Sequence, residues 1–164
     1  MGPGVKTAMD KVVQELVDWA RKKPPVRVVI LTSSRAAPHA QLDAFSDYDV
    51  ILVVTDIQPF FRGREWLSEF GPVLVAYRDP LRSVLGSEAF TYVTQYETGL
   101  KIDFSLWPTD LLRQVANSPT LPDEIDLGYT VLLDKDGMAA ELKPPTHRAH
   151  IPKPPSESEF LALV

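Results

Sequence analysis

From about Val5 to Lys23 the apolar residues Met9, Val12, Val13, Leu16 and Ala20 recur at spacings of three and four. That spacing lines them up on one stripe of a helix. Arg21-Lys22-Lys23 suits the negative end of the helix dipole, and Pro24-Pro25 stops the helix. The pattern then changes. Val26 to Thr32 is a β-branched run with few polar breaks, which predicts a central strand. Ala36 to Phe45 predicts a loop. Asp47 to Val54 predicts a second strand, with Tyr48, Val50, Leu52 and Val54 on one face and Asp49, Ile51 and Val53 on the other. Both faces turn apolar after the aspartates, so only the mouth of this strand is polar.

Asp56 to Pro59 predicts a turn. Phe60 to Phe70 predicts a short helix that places Phe60, Trp66, Leu67 and Phe70 in the core, with Gly71 and Pro72 as its stop. Such an aromatic cluster reads as packing rather than as a ligand site. Val73 to Tyr77 predicts a third strand. Asp79-Pro80 predicts a helix start, with Pro80 at the first helical position and the end near Gly86. Phe90 to Tyr96 and Leu100 to Trp107 predict two strands joined by a Glu97-Thr98-Gly99 hairpin loop. In the second of these, Ile102, Phe104 and Leu106 share one face, and Lys101, Asp103, Ser105 and Trp107 the other. Thr109 is expected to cap a helix from Asp110 to Asn117 with Leu111, Leu112 and Val115 inward. Tyr129 to Leu133 predicts a last strand, followed by a turn at Asp134-Lys135-Asp136-Gly137. That turn opens like a calcium loop but lacks the later ligands. Lys143 to Pro155 is proline-rich and reads as extended chain. Ser156 with Glu159 is a capping-box pattern that opens a further helix. The expected division is therefore a domain over 1–142, then a proline-rich linker and the start of a further, helical domain over 143–164.

The alternation of helix and strand predicts an α/β (α+β) domain with a mixed β-sheet and flanking helices. A chain of 164 residues with 45% hydrophobic and 24% charged positions can build one real core. No apolar run reaches the ~18 residues that cross a membrane, and the first residues carry no apolar leader stretch. With no cysteine, disulfides and thiolate metal sites are excluded, which fits a cytoplasmic protein. A net charge of −5 argues against a general nucleic-acid binder and suits a cationic substrate.

The chemistry concentrates at the second strand. Asp47 and Asp49 lie two apart and so project together at its mouth. Two such carboxylates repel, and a divalent cation holding the phosphates of a nucleotide is one remedy. Ser33 and Ser34, at the end of the preceding strand, are placed to bind phosphate oxygens. The competing reading is a pair of aspartates in a solvated turn. Asp103 is a third carboxylate in question. In the middle of a strand it is costly unless it is paired or metal-bound, or unless that sheet face is open to water. His39 reads as an exposed loop residue, because no partner stands at a ligand spacing. His147 and His150, in the proline-rich stretch, read as solvent-facing.

These features resemble the nucleotidyltransferase superfamily of the DNA polymerase beta type, and most closely the aminoglycoside (streptomycin) 6-adenylyltransferase family. Ser34-Arg35 stands for the end of that family's Gly-Ser-Arg, Asp47 and Asp49 for its Asp-x-Asp, and Asp103 for its third carboxylate. The stretches FSDYDV, FTYVTQYETGLKIDFSL, GYTVLLDKDG and PSESEF are similar to the family as well. Ser33 stands where the family usually carries glycine. The resemblance implies a nucleotidyltransferase fold and AMP transfer from ATP, with Mg2+ as cofactor and an aminoglycoside hydroxyl as acceptor. It implies Asp47, Asp49 and Asp103 as metal-binding and catalytic residues, and Ser33, Ser34, Arg35 and Asp47 as nucleotide-binding ones. It also implies a helical C-terminal domain that shapes the acceptor site and that this chain does not reach. The alternatives left open are a nucleotide-binding or antitoxin-like module of the same fold without turnover, and AMP transfer to a protein.

Overall fold

The computed structural model describes residues 3–32 and 48–146. Helix α1 (Pro3–Arg21) runs into strand β1 (Val26–Thr32), and strand β2 (Tyr48–Val54) returns antiparallel beside it, with Thr32 opposite Asp49. Helix α2 (Gln58–Arg62) and a 3-10 turn (Glu65–Phe70) lead to β3 (Val73–Arg78), β4 (Arg82–Val84), β5 (Ser87–Tyr96) and β6 (Lys101–Pro108). Helix α3 (Thr109–Asn117), helix α4 (Asp123–Asp126), β7 (Tyr129–Asp134) and a 3-10 turn (Met138–Glu141) complete the described chain. The strands form one mixed sheet in the order β3-β5-β6-β2-β1-β7, with β4 beside β5. Among the described strands β2 and β6 pair in parallel and the other pairs are antiparallel. This is the α+β domain that the pattern predicts.

The alternation along the strands separates two apolar layers. Val50, Leu52 and Val54 of β2 pack with Ile102, Phe104 and Leu106 of β6 under α1, α2 and the first 3-10 turn. Trp19, Phe60, Trp66 and Phe70 close this layer through ring contacts, among them Trp19 stacked on Trp66 at 5.7 Å. The aromatic cluster is packing, as expected. On the opposite face Ile51, Val53 and Trp107 pack against Leu111, Leu112 and Val115 of α3 and Ile125 of α4. The C-terminal end of α1 is held by Lys135, whose ammonium donates to the carbonyls of Ala20 at 2.8 Å and Lys23 at 3.0 Å. A cation there also suits the helix dipole.

Three local expectations change. Asp79-Pro80 opens no helix: Arg82–Val84 is strand β4, in a hairpin with β5. The reason is the turn. Val84 pairs with Ser87, and Leu85 and Gly86 between them both take positive φ, +49° and +83°. That is the two-residue hairpin geometry whose twist matches the strands, and it outweighs the proline signal. Phe60 to Phe70 is two short pieces rather than one helix, broken at Gly63. Pro108, not Thr109, occupies the N-cap of α3, without a side-chain hydrogen bond.

Candidate active site

Asp49 of β2 and Asp103 of β6 are register partners across the parallel pair. Partners in register project on the same face, one strand spacing of about 4.8 Å apart at the backbone. The row continues on both sides: Tyr77, Val93, Asp103, Asp49 and Thr32 lie side by side across five strands. Both aspartates are half-buried. Thr32 donates through its hydroxyl to the carbonyl of Asp49 at 3.3 Å, which ties the end of β1 to the mouth of β2.

One step along the same face lies a second polar row. The hydroxyls of Thr91 and Ser105 share a hydrogen bond of 3.1 Å. Nη1 of Arg82 donates to Oγ1 of Thr91 at 3.2 Å, and its Nη2 stands 4.0 Å from Oε1 of Glu124. Glu124 thus comes from α4, above the sheet, and faces this row. Its carboxyl is raised above the ordinary range, first by burial and further by the negative charge of Asp49, against the lowering pull of Arg82.

Helix α4 is held in place by its other residues. Ile125 is buried in the layer beneath α3. Asp126, only 7% exposed, accepts from the Thr146 amide at 2.8 Å and from the Thr146 hydroxyl. Tyr129 donates its hydroxyl to the Lys143 carbonyl at 2.7 Å, and the Lys143 ammonium donates to the Ala116 carbonyl at 3.1 Å. Residues 143–146 are thereby laced onto the domain beside α3 and α4.

Of the residues singled out in the sequence, Asp49 and Asp103 are brought together. Asp47, Ser33, Ser34 and Arg35 lie outside the described residues, as do His39, His147, His150, Ser156 and Glu159. Arg82, Thr91 and Glu124 were not anticipated as part of the site. Pro122 followed by Asp123 and Glu124 carries a helix-start signal, acidic residues in a first turn, that could have pointed to α4. For Arg82 no signal existed, because its stretch reads as helix.

The donor set suits a hard divalent cation. Asp49 and Asp103 place two carboxylates on neighbouring strands, on one face of the sheet. Among the described residues no group of three or more acidic or histidine side chains closes around an ion.

The family model described as Streptomycin adenylyltransferase matches residues 7–164. The aminoglycoside 6-adenylyltransferase of Staphylococcus aureus is 28% identical over 156 residues, covering 92% of this chain and 53% of the relative. That of Bacillus subtilis (strain 168) is 29% identical over 147 residues, covering 88% of this chain and 50% of the relative. That of Campylobacter jejuni is 28% identical over 149 residues, covering 88% and 49%. The chain thus spans about half the length of the curated relatives it matches. Among solved structures, the crystal structure of an aminoglycoside 6-adenyltransferase from Bacillus subtilis is 26% identical, with a TM-score of 0.48, covering 65% of this chain and 37% of that one.

Proposed function

The chain belongs to the streptomycin adenylyltransferase family, and from that premise we propose that it transfers AMP from ATP to a hydroxyl of a small cationic acceptor, an aminoglycoside of the streptomycin kind. The observation that carries this reading is the in-register placement of Asp49 and Asp103 at the mouth of the parallel pair. Asp49 stands beside the end of β1, from which the chain leads into Ser33-Ser34-Arg35.

Asp47, Asp49 and Asp103 are the residues that would hold Mg2+, which when bound neutralises charge on the triphosphate and its leaving group. Ser34 donates its hydroxyl to outer phosphate oxygens, with Ser33 beside it, and Arg35 adds positive charge. The acceptor oxygen forms a bond to the α-phosphorus, the bond from that phosphorus to the bridging oxygen breaks, and pyrophosphate leaves. Asp103 takes the hydroxyl proton. Catalysis is then chiefly positioning and electrostatic complementarity.

The test is pyrophosphate release from ATP with and without magnesium, across a panel of aminoglycosides, with the adenylylated product identified by mass spectrometry. Magnesium-dependent release matched one for one by adenylylated streptomycin or a related compound supports the proposal. Nucleotide binding without release on any acceptor would mean a module that keeps the fold without turnover. Release that tracks labelling of added protein would mean a protein acceptor.

A further inference from the structure

The row Tyr77, Val93, Asp103, Asp49, Thr32 gives the site two sides. On the Thr32 side β1 runs into the serines that the proposed function assigns to the outer phosphates. In phosphoryl and nucleotidyl transfer the attacking and leaving oxygens lie roughly in line through phosphorus. The side of the row away from β1, along β6 and β5, is the one open to an acceptor. That side has a defined lining. Val93 and Tyr77 are 44% and 59% exposed and continue the carboxylate row outward. Tyr77 lies two strand spacings, about 10 Å, from Asp103 at the backbone, which is the span of a substituted sugar or cyclitol ring. Thr91, Ser105, Arg82 and Glu124 form the adjoining polar edge.

We propose that Glu124 is a specificity-determining residue that takes a cationic group of the acceptor, with Arg82 as its positioning residue; this deepens the function proposed above and rests on it. The fold does not need the Glu124 carboxylate, since α4 is anchored by Ile125 and Asp126. Its contact with Arg82 is 4.0 Å, longer than a hydrogen bond, so its oxygens remain able to accept from an incoming guanidinium or ammonium. Arg82 is fixed from below by Thr91, which is fixed by Ser105. The positive charge thus stays at one edge of Glu124 and holds it over the sheet instead of letting it swing to solvent. An ordinary surface ion pair contributes little by itself. This one stands over Thr91 and Ser105, and Ser105 follows Asp103 by two residues on the same face of β6. The exposed faces of Tyr77 and Val93 offer an apolar floor for a ring whose substituents are cationic.

The experiment is calorimetric titration of streptomycin into the protein with magnesium and α,β-methylene-ATP present, with the nucleotide analogue titrated separately. Glu124→Gln is expected to weaken streptomycin about tenfold and leave the nucleotide Kd within twofold. Arg82→Ala is expected to weaken streptomycin about threefold, with Arg82→Lys restoring most of that loss. A Glu124→Gln variant with unchanged streptomycin affinity overturns the proposal. So does one that loses nucleotide and streptomycin equally, because that pattern marks a structural role. A wild-type protein that binds the nucleotide but not streptomycin overturns the proposal alone. One that binds neither overturns the adenylyltransferase reading beneath it.

Discussion

Asp126→Ala separates the scaffold of the site from its chemistry. The side chain is 7% exposed and accepts two hydrogen bonds from Thr146, one from the amide at 2.8 Å and one from the hydroxyl. Hydrogen bonds to a charged group contribute roughly 1.5–3 kcal/mol each. Once released, Thr146 can turn to water, so the lower end of that range applies and the expected loss is about 3 kcal/mol. Thr146→Val removes only the hydroxyl bond and is expected to cost about 1.5 kcal/mol. Asp126→Asn keeps one acceptor oxygen and should fall between the two. Urea unfolding followed by tryptophan fluorescence gives these differences, provided the slope against urea is common to all variants. In the double variant the two losses should be sub-additive, since they remove one shared interaction. An Asp126→Ala protein within about 0.5 kcal/mol of wild type, or fully additive losses, would refute the view that this carboxylate fixes α4 and the segment after Leu142.

Leu85 holds φ of +49° at the first turn position of the β4–β5 hairpin, is 52% exposed, and precedes Gly86. Leu85→Asn creates the Asn-Gly pair this turn favours, so a gain of about 1 kcal/mol is expected; a lower melting temperature in calorimetry would contradict it. Arg27 donates twice to Asp136, at 2.7 Å each, and these bonds with the adjacent positive charge hold the Asp136 carboxyl below its ordinary value of 3.8. A carboxyl depressed in the folded state contributes its stability above the unfolded pKa and loses it as pH falls through the folded one. Asp136→Asn should therefore melt below wild type at neutral pH, and the gap should close as the pH drops below about 4. A gap that stays constant into acid would exclude the linkage.

Where pattern alone decided structure, the sequence was readable. The β-branched run Val26–Thr32 and the alternation through β2 and β6 gave strands whose faces match the two buried layers. That alternation also assigned Asp49 and Asp103 each to the face away from the aromatic core. It could not say that β2 and β6 are neighbours, because the partner of a strand is set by tertiary packing. The juxtaposition of the two aspartates was legible only through the family resemblance. Arg82 escaped because Asp79-Pro80 imitates a helix start, while the hairpin that places Arg82 over Thr91 depends on a left-handed Leu85. Glu124 escaped because α4 is a helix of four residues, too short for any periodicity to reveal. Its relevance comes from a turn of chain between α3 and β7 folding over the sheet.

In the proposed function Asp49 and Asp103 form the carboxylate pair through which a magnesium nucleotide is held for transfer. The most direct measurement is the affinity for α,β-methylene-ATP, with and without magnesium, in the wild type and in Asp49→Asn and Asp103→Asn. These substitutions remove charge and leave volume nearly unchanged. Wild-type binding is expected to depend on magnesium, and each variant to bind at least about tenfold more weakly, a difference of roughly 1.4 kcal/mol, while its thermal unfolding stays cooperative. Binding that is equally tight without magnesium, or unchanged in both variants, would contradict that role.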